Sequence, residues 1–198
     1  MTSALLVIDM QYDFCPDGAL AVPEGDSIVP GINAAMRDFP VVILTQDWHP
    51  AGHSSFASEH PGKAPFDMVE MPYDPQVLWP DHCIQGSHGA AFHAELDTTR
   101  ADLIIRKGMN ADIDSYSAFF ENDHATPTGL HGYLQTRGLT ELTLVGLATD
   151  FCVKFSGVDA ARLGYRVTLR QDLVRGIDLD GSLDAAMTEM REAGVRFA

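Results

Sequence analysis

Glu141-Leu-Thr-Leu-Val-Gly146 runs directly into Leu147-Ala-Thr-Asp-Phe-Cys152 and a helix-forming stretch that ends near Leu163. The first six residues read as a buried strand, the next six turn sharply, and the remainder forms a helix. A strand delivered straight into a helix is the unit from which parallel sheets are built. It also places a cysteine in the first turn of a helix, where unpaired backbone N–H groups and the positive end of the helix dipole favour a thiolate. Cys152 is thereby a candidate nucleophile, its alternative role being that of a small packed hydrophobe.

Working outward, Ala4-Leu-Leu-Val-Ile8 is a continuous apolar run ending at Asp9, the pattern of a strand buried on both faces. Residues 10–25 hold Pro16, Gly18, Pro23 and Gly25 and read as loop, after which Asp26 can cap a helix reaching about Asp38. Val41 to Thr45 is a second strand, followed by Gln46-Asp-Trp-His-Pro50. From His49 to Asp97 there is no clear period, yet six of the eleven prolines and six of the eight histidines fall there. A stretch this long without regular structure is usually functional.

Asp102 to Lys107 reads as a third strand, Gly129 to Gly138 as a short helix, and Tyr165 to Gln171 as a fifth strand after the one at 141–146. Ser182 to Ala193 is a last helix before a short edge strand at 195–197. Alternating strands and helices imply right-handed crossovers and a three-layer α/β/α fold with a mostly parallel, about six-stranded sheet, in a single domain spanning 1–198. Ligands of such sheets bind beyond the carboxyl ends of the strands. Asp9, Asp47, Lys107 and the turn before Cys152 all stand there.

With 198 residues, 45% hydrophobic and 21% charged, the chain has the composition of an ordinary globular domain. Its net charge of -15 disfavours nucleic acid and anionic lipid as partners and suits a small neutral or cationic substrate. Three widely spaced cysteines, Cys15, Cys83 and Cys152, are no disulfide framework, so a reducing cytoplasm is the expected compartment. The N-terminus lacks a basic region and no apolar run reaches membrane-spanning length, so neither export nor a membrane partner is expected. No Gly-x-Gly-x-x-Gly follows the first strand and there is no P-loop lysine motif, which disfavours dinucleotide and nucleoside triphosphate chemistry.

Two constellations carry the chemistry. Asp47 and His49 lie two apart in an extended segment, with His53 and His82 further on, and imidazole plus carboxylate suits Zn, Fe or Mn. Cys152, Lys107 and Asp9 form the other, in which a thiolate attacks a carbonyl, the carboxylate moves protons, and the ammonium lowers the thiol pKa. A structural Asp9–Lys107 ion pair would explain those two residues but not Cys152.

Asp9 after the first strand, Asp-x-His after the second, Trp79-Pro-x-His-Cys83, Arg106-Lys-Gly108 and Ala148-Thr-Asp-Phe-Cys-Val153 together resemble the nicotinamidases, which are isochorismatase-like cysteine hydrolases. The resemblance runs from Leu5 to about Leu173. It implies a catalytic triad of Asp9, Lys107 and Cys152 and one divalent metal on Asp47, His49 and His82, zinc before iron or manganese. His53, four residues past His49, is then either a fourth ligand or the residue that orients a metal-bound water. It further implies that the metal binds the pyridine nitrogen, that Phe14, Trp79 and Tyr116 wall the ring pocket, that the Ala148–Thr149 bond is cis, and that the N–H groups of Ala148 and Cys152 form an oxyanion hole.

The implied reaction is hydrolysis of nicotinamide to nicotinate and ammonia through a thioester, as in pyridine nucleotide salvage, with pyrazinamide-type amides as further substrates. The alternatives are another isochorismatase-like amidohydrolase, an isochorismatase, or a binding module without catalysis. The oligomeric state, self-association included, is not legible.

Overall fold

A computed structural model describes residues 2–198. Its chain order is β1 (Ser3–Ile8), α1 (Val29–Ala35), β2 (Val42–Asp47), β3 (Met68–Glu70), β4 (Pro75–Val77), β5 (Leu103–Lys107), α2 (Leu130–Thr136), β6 (Glu141–Leu147), α3 (Lys154–Arg162), β7 (Arg166–Arg175), α4 (Ser182–Glu192) and β8 (Arg196–Phe197). Six strands form one sheet in the order β5-β2-β1-β6-β7-β8, with every neighbouring pair parallel. β3 and β4 form a separate antiparallel pair.

The central strand β1 shows why its sequence is apolar throughout. Leu5 and Val7 enter the core on one face, with Val29 and Ile32 of α1, while Ala4, Leu6 and Ile8 enter the opposite core, with α2, α3 and α4. Alternating side chains thus bury both faces, and removal of this apolar surface from water is the main stabilisation. The α1 face is completed by irregular chain rather than by further helices, Phe14, Cys15, Trp79 and Cys83 among its buried residues.

The chain leaves β1 towards β2 and β5, then returns to β6 on the other side of β1. That reversal opens a crevice at the carboxyl ends of β1 and β6. Ile8 pairs with Gly146 and Asp47 with Lys107 in the parallel register, so the strand ends lie level. Gly146, at φ 111°, could carry no side chain there, since a Cβ would stand 2.1 Å from the Ile8 carbonyl oxygen.

Several boundaries differ from the sequence reading. The helix expected from Asp26 is a 3-10 turn over Gly25–Ile28 and becomes α-helical only at Val29, with Pro30 in its first turn; no side chain caps it. Thr149–Val153 is a wide π-type turn in which the Ala148 carbonyl accepts from Val153 N five residues on, and α3 proper begins at Lys154. β7 continues four residues beyond Gln171. The cis peptide is Leu147–Ala148, one bond earlier than the resemblance implied. The long segment after His49 contains the β3–β4 hairpin and is stitched down by bridges pairing His49 with Ile84 and Phe56 with Trp79. Among the described residues no helix is long and apolar enough to cross a membrane.

Candidate active site

Four elements deliver the charged groups to one place. Asp9 follows β1, Asp47 and Lys107 are the last residues of β2 and β5, and Cys152 sits in the turn after β6. Lys107 Nζ lies 2.9 Å from Asp9 Oδ2, 3.0 Å from Asp47 Oδ1 and 3.5 Å from Cys152 Sγ, and it donates to the Ser115 carbonyl at 2.9 Å. A buried ammonium is costly without partners, and here two carboxylates surround it. Burial acts against the charged lysine, but Asp47 and Asp9 outweigh it and hold the ammonium well above its ordinary pKa.

Asp9 has φ 48°, an unusual backbone for a non-glycine residue, and Thr45 holds it there. The Thr45 hydroxyl accepts from Asp9 N at 3.1 Å and donates to Asp9 Oδ1 at 2.6 Å. Burial raises the Asp9 carboxyl pKa despite the opposing pull of Lys107. Burial also lifts the Cys152 thiol well above its ordinary range, and Lys107 only moderates this. The expectation of a resting thiolate is therefore corrected: Lys107 acts in the anticipated direction, but desolvation is larger. The neighbouring carboxylates Asp9 and Asp47 act in the same direction as burial and favour the thiol.

Asp47 Oδ2 lies 3.0 Å from His49 Nε2 and 3.5 Å from His82 Nε2. The other ring nitrogens face backbone carbonyls, His49 Nδ1 that of Gly108 at 3.0 Å and His82 Nδ1 that of Pro80 at 2.8 Å. A carbonyl only accepts, so each Nδ1 carries a hydrogen, and Nε2 is the nitrogen that each ring turns towards the carboxylate. Protons on Nε2 or a divalent cation can bridge those nitrogens to the carboxylate. The donor set therefore fits a divalent metal. Burial pushes the Asp47 carboxyl up, but the His49 and Lys107 charges hold it well below the usual carboxylate range, ready to act as an anionic ligand.

His53 stands apart from that trio. Its ring lies 4.3 Å from that of His49, its Nδ1 is 2.8 Å from Ser55 Oγ, and its buried Nε2 has no protein partner. It groups instead with His49 and Asp114.

The cavity above Cys152 is lined by Phe14, Trp79 and Tyr116 and by Asp47, His82 and Ala148. Leu20, Asp114, Phe151 and Ile177 complete it. Trp79 meets Phe151 edge-on at 4.8 Å and Tyr116 at 6.0 Å between ring centroids. Aromatic walls of this kind suit a flat ligand.

The isochorismatase domain model matches residues 3–198. The chain belongs to the isochorismatase family. Among its relatives, the nicotinamidase of Acinetobacter baylyi is 50% identical over 193 residues, covering 98% of this chain and 90% of that protein. A solved Acinetobacter baumanii nicotinamidase/pyrazinamidase superposes with a TM-score of 0.98 at 52% identity, covering 99% of this chain and 95% of the other. The Pyrococcus horikoshii pyrazinamidase, solved in complex with zinc, superposes with a TM-score of 0.80 at 34% identity over 100% of this chain and 99% of the other.

Within this isochorismatase-family site, sequence reasoning missed residues that hold others in place. Gln11 grips Asp47 from both sides, donating to its carbonyl at 2.8 Å and accepting from its N–H at 2.7 Å. Thr45 does the same for Asp9. Both stand two residues from a strand-end aspartate, a spacing that could have flagged them. Asp114 and Phe151 carried no comparable signal.

Proposed function

We infer that the protein is a nicotinamidase, an amidohydrolase converting nicotinamide to nicotinate and ammonia. The observation that carries this reading is the buried Lys107 ammonium, which joins Asp9, Asp47 and the Cys152 thiol beneath an aromatic-walled cavity.

In the proposed reaction Asp9 takes the Cys152 proton as Sγ attacks the carboxamide carbon, forming a C–S bond. The developing oxyanion is received by the backbone N–H groups of Ala148 and Cys152. Asp9 then returns the proton to the departing amine, the C–N bond breaks, and a thioester and ammonia result. Water, deprotonated by Asp9, attacks the thioester and releases nicotinate and the thiol. Lys107 holds Asp9 and Asp47 in place throughout and draws Asp9 back to its ionised form between proton transfers.

Asp47, His49 and His82 would hold the divalent metal, and zinc is the ion we assign on the nitrogen and oxygen donor set. When bound, it supplies a Lewis acid that orients the ring nitrogen. We assign His53 the role of orienting a metal-bound water, because it lies outside the Asp47–His49–His82 trio and has an unused Nε2. Phe14, Trp79 and Tyr116 are assigned to the ring.

Ammonia release tests the reading. Nicotinamide and other flat pyridine or pyrazine carboxamides should be turned over, and aliphatic amides of similar volume should not. Equal rates on both classes would overturn it.

A further inference from the structure

The β3–β4 hairpin carries one buried polar side chain with no part in the reaction above. Gln76, in the middle of β4, is 1% exposed, while Pro75 before it is exposed. Its Oε1 faces only donors, the Tyr73 hydroxyl and Asn122 Nδ2, each at 3.2 Å. Its Nε2 faces only acceptors: the Val77 carbonyl at 2.7 Å, Asp114 Oδ2 at 2.8 Å and the Tyr116 hydroxyl oxygen at 2.7 Å. These partners dictate the orientation of the amide, since the reverse would set N–H groups against donors.

Two of those bonds bear on the cavity wall. The Tyr116 hydroxyl oxygen also accepts from Trp79 Nε1 at 3.1 Å, so Gln76 and Trp79 converge on it from two sides. At the other end of the residue, Tyr116 N donates to Asn122 Oδ1 at 3.0 Å, and Asn122 is itself bound to Gln76. Tyr116 and Trp79 both meet Phe151 edge-on, at 5.7 and 4.8 Å, so the three rings form one wall. A two-stranded hairpin has little stability of its own, and a buried amide is costly unless fully bonded. The two amide hydrogens of Gln76 are shared among three acceptors, and the shortest contacts are those to the Val77 carbonyl and the Tyr116 hydroxyl, each at 2.7 Å.

We propose that Gln76 is a specificity-determining positioning residue, which locks Tyr116 against Trp79 and so restricts the cavity to flat rings. The proposal rests on the amidohydrolase reading of the site. Gln76 acts through Tyr116 and Trp79 and touches none of Asp9, Lys107 or Cys152, so its loss loosens the wall and leaves the bond-making groups in place. Binding and selectivity should suffer, and the chemical step should not.

The test compares wild type, Gln76→Met, Tyr116→Phe and the double variant on nicotinamide and on its saturated-ring analogue piperidine-3-carboxamide. Gln76→Met should raise KM for nicotinamide about tenfold, the effect of losing roughly one to two hydrogen bonds, with kcat within about threefold. The preference for the flat amide in kcat/KM should narrow. In the Tyr116→Phe background, where the hydroxyl is already gone, Gln76→Met should add less than about twofold. Unchanged KM and preference, a loss confined to kcat, or full additivity in the double variant would overturn the proposal. If Gln76→Met does not fold, Tyr116→Phe alone must show the raised KM and narrowed preference, and wild-type values in it would be equally fatal. Wild-type protein inert towards nicotinamide would count instead against the amidohydrolase reading.

Discussion

Burial acts on Asp9 and Cys152 in the same direction, raising the carboxyl and keeping the thiol protonated. Asp9 must be ionised to accept the thiol proton, and a raised pKa means that the ionised form is lost at a higher pH than for an ordinary carboxylate. The acid limb of kcat/KM should therefore fall above the usual carboxylate range as pH is lowered. A pH–rate profile flat down through that range would show that Asp9 is not the base. Cys152→Ala should fold and keep its metal while losing turnover by several orders of magnitude, because no thioester can form. Near-normal turnover at unchanged metal content would hand the attack to a metal-bound hydroxide.

Between the strands, connecting residues aim these side chains. Gly108, just past β5, has φ 68°, and a Cβ there would stand 2.4 Å from His49 Cε1. Gly108→Ala should displace the imidazole and lower metal content, measured by elemental analysis of purified protein, with weaker activity as a consequence. Wild-type metal content would refute that link. The turn holding Cys152 is tied to the loop before α4 by Asp150, whose carboxylate accepts from Ile177 N at 3.0 Å, Asp178 N at 2.8 Å and the Ser182 hydroxyl. Asp150→Ala strands these donors and should cost about 1.5–3 kcal/mol in a denaturant titration. It should also raise KM, because Ile177 lines the cavity. A variant as stable as wild type would show that the loop is held by other contacts.

Across the molecule, the crevice between β1 and β6 gathers residues from positions 9 to 177, so the site exists only in the folded chain. Removing the metal should abolish turnover, with recovery when zinc is restored. It should also lower the thermal unfolding midpoint, since a ligand bound only to the native state stabilises it by mass action. Full activity after exhaustive chelation would contradict the role given to Asp47, His49 and His82.

Much of this was legible in the amino-acid order alone. The apolar runs at 4–8 and 41–45, each leading to a strand-end aspartate, and the strand at 141–146 running into a turn argued for a parallel sheet, because a strand buried on both faces admits no alternation. In such a sheet the carboxyl ends are the only common meeting ground, which identified Asp9, Asp47, Lys107 and Cys152 together. What remained hidden depended on contacts between distant residues. No local pattern marks Gln76 as the partner of Tyr116, Gln11 as the clamp on Asp47, or Asp150 as the tie to the α4 loop, since each hydrogen-bonds across 27 to 40 positions of chain. The pKa of Cys152 likewise depends on tertiary structure: the helix-start position argued for a thiolate, but the depth of burial, which no sequence window records, pushes the thiol pKa up.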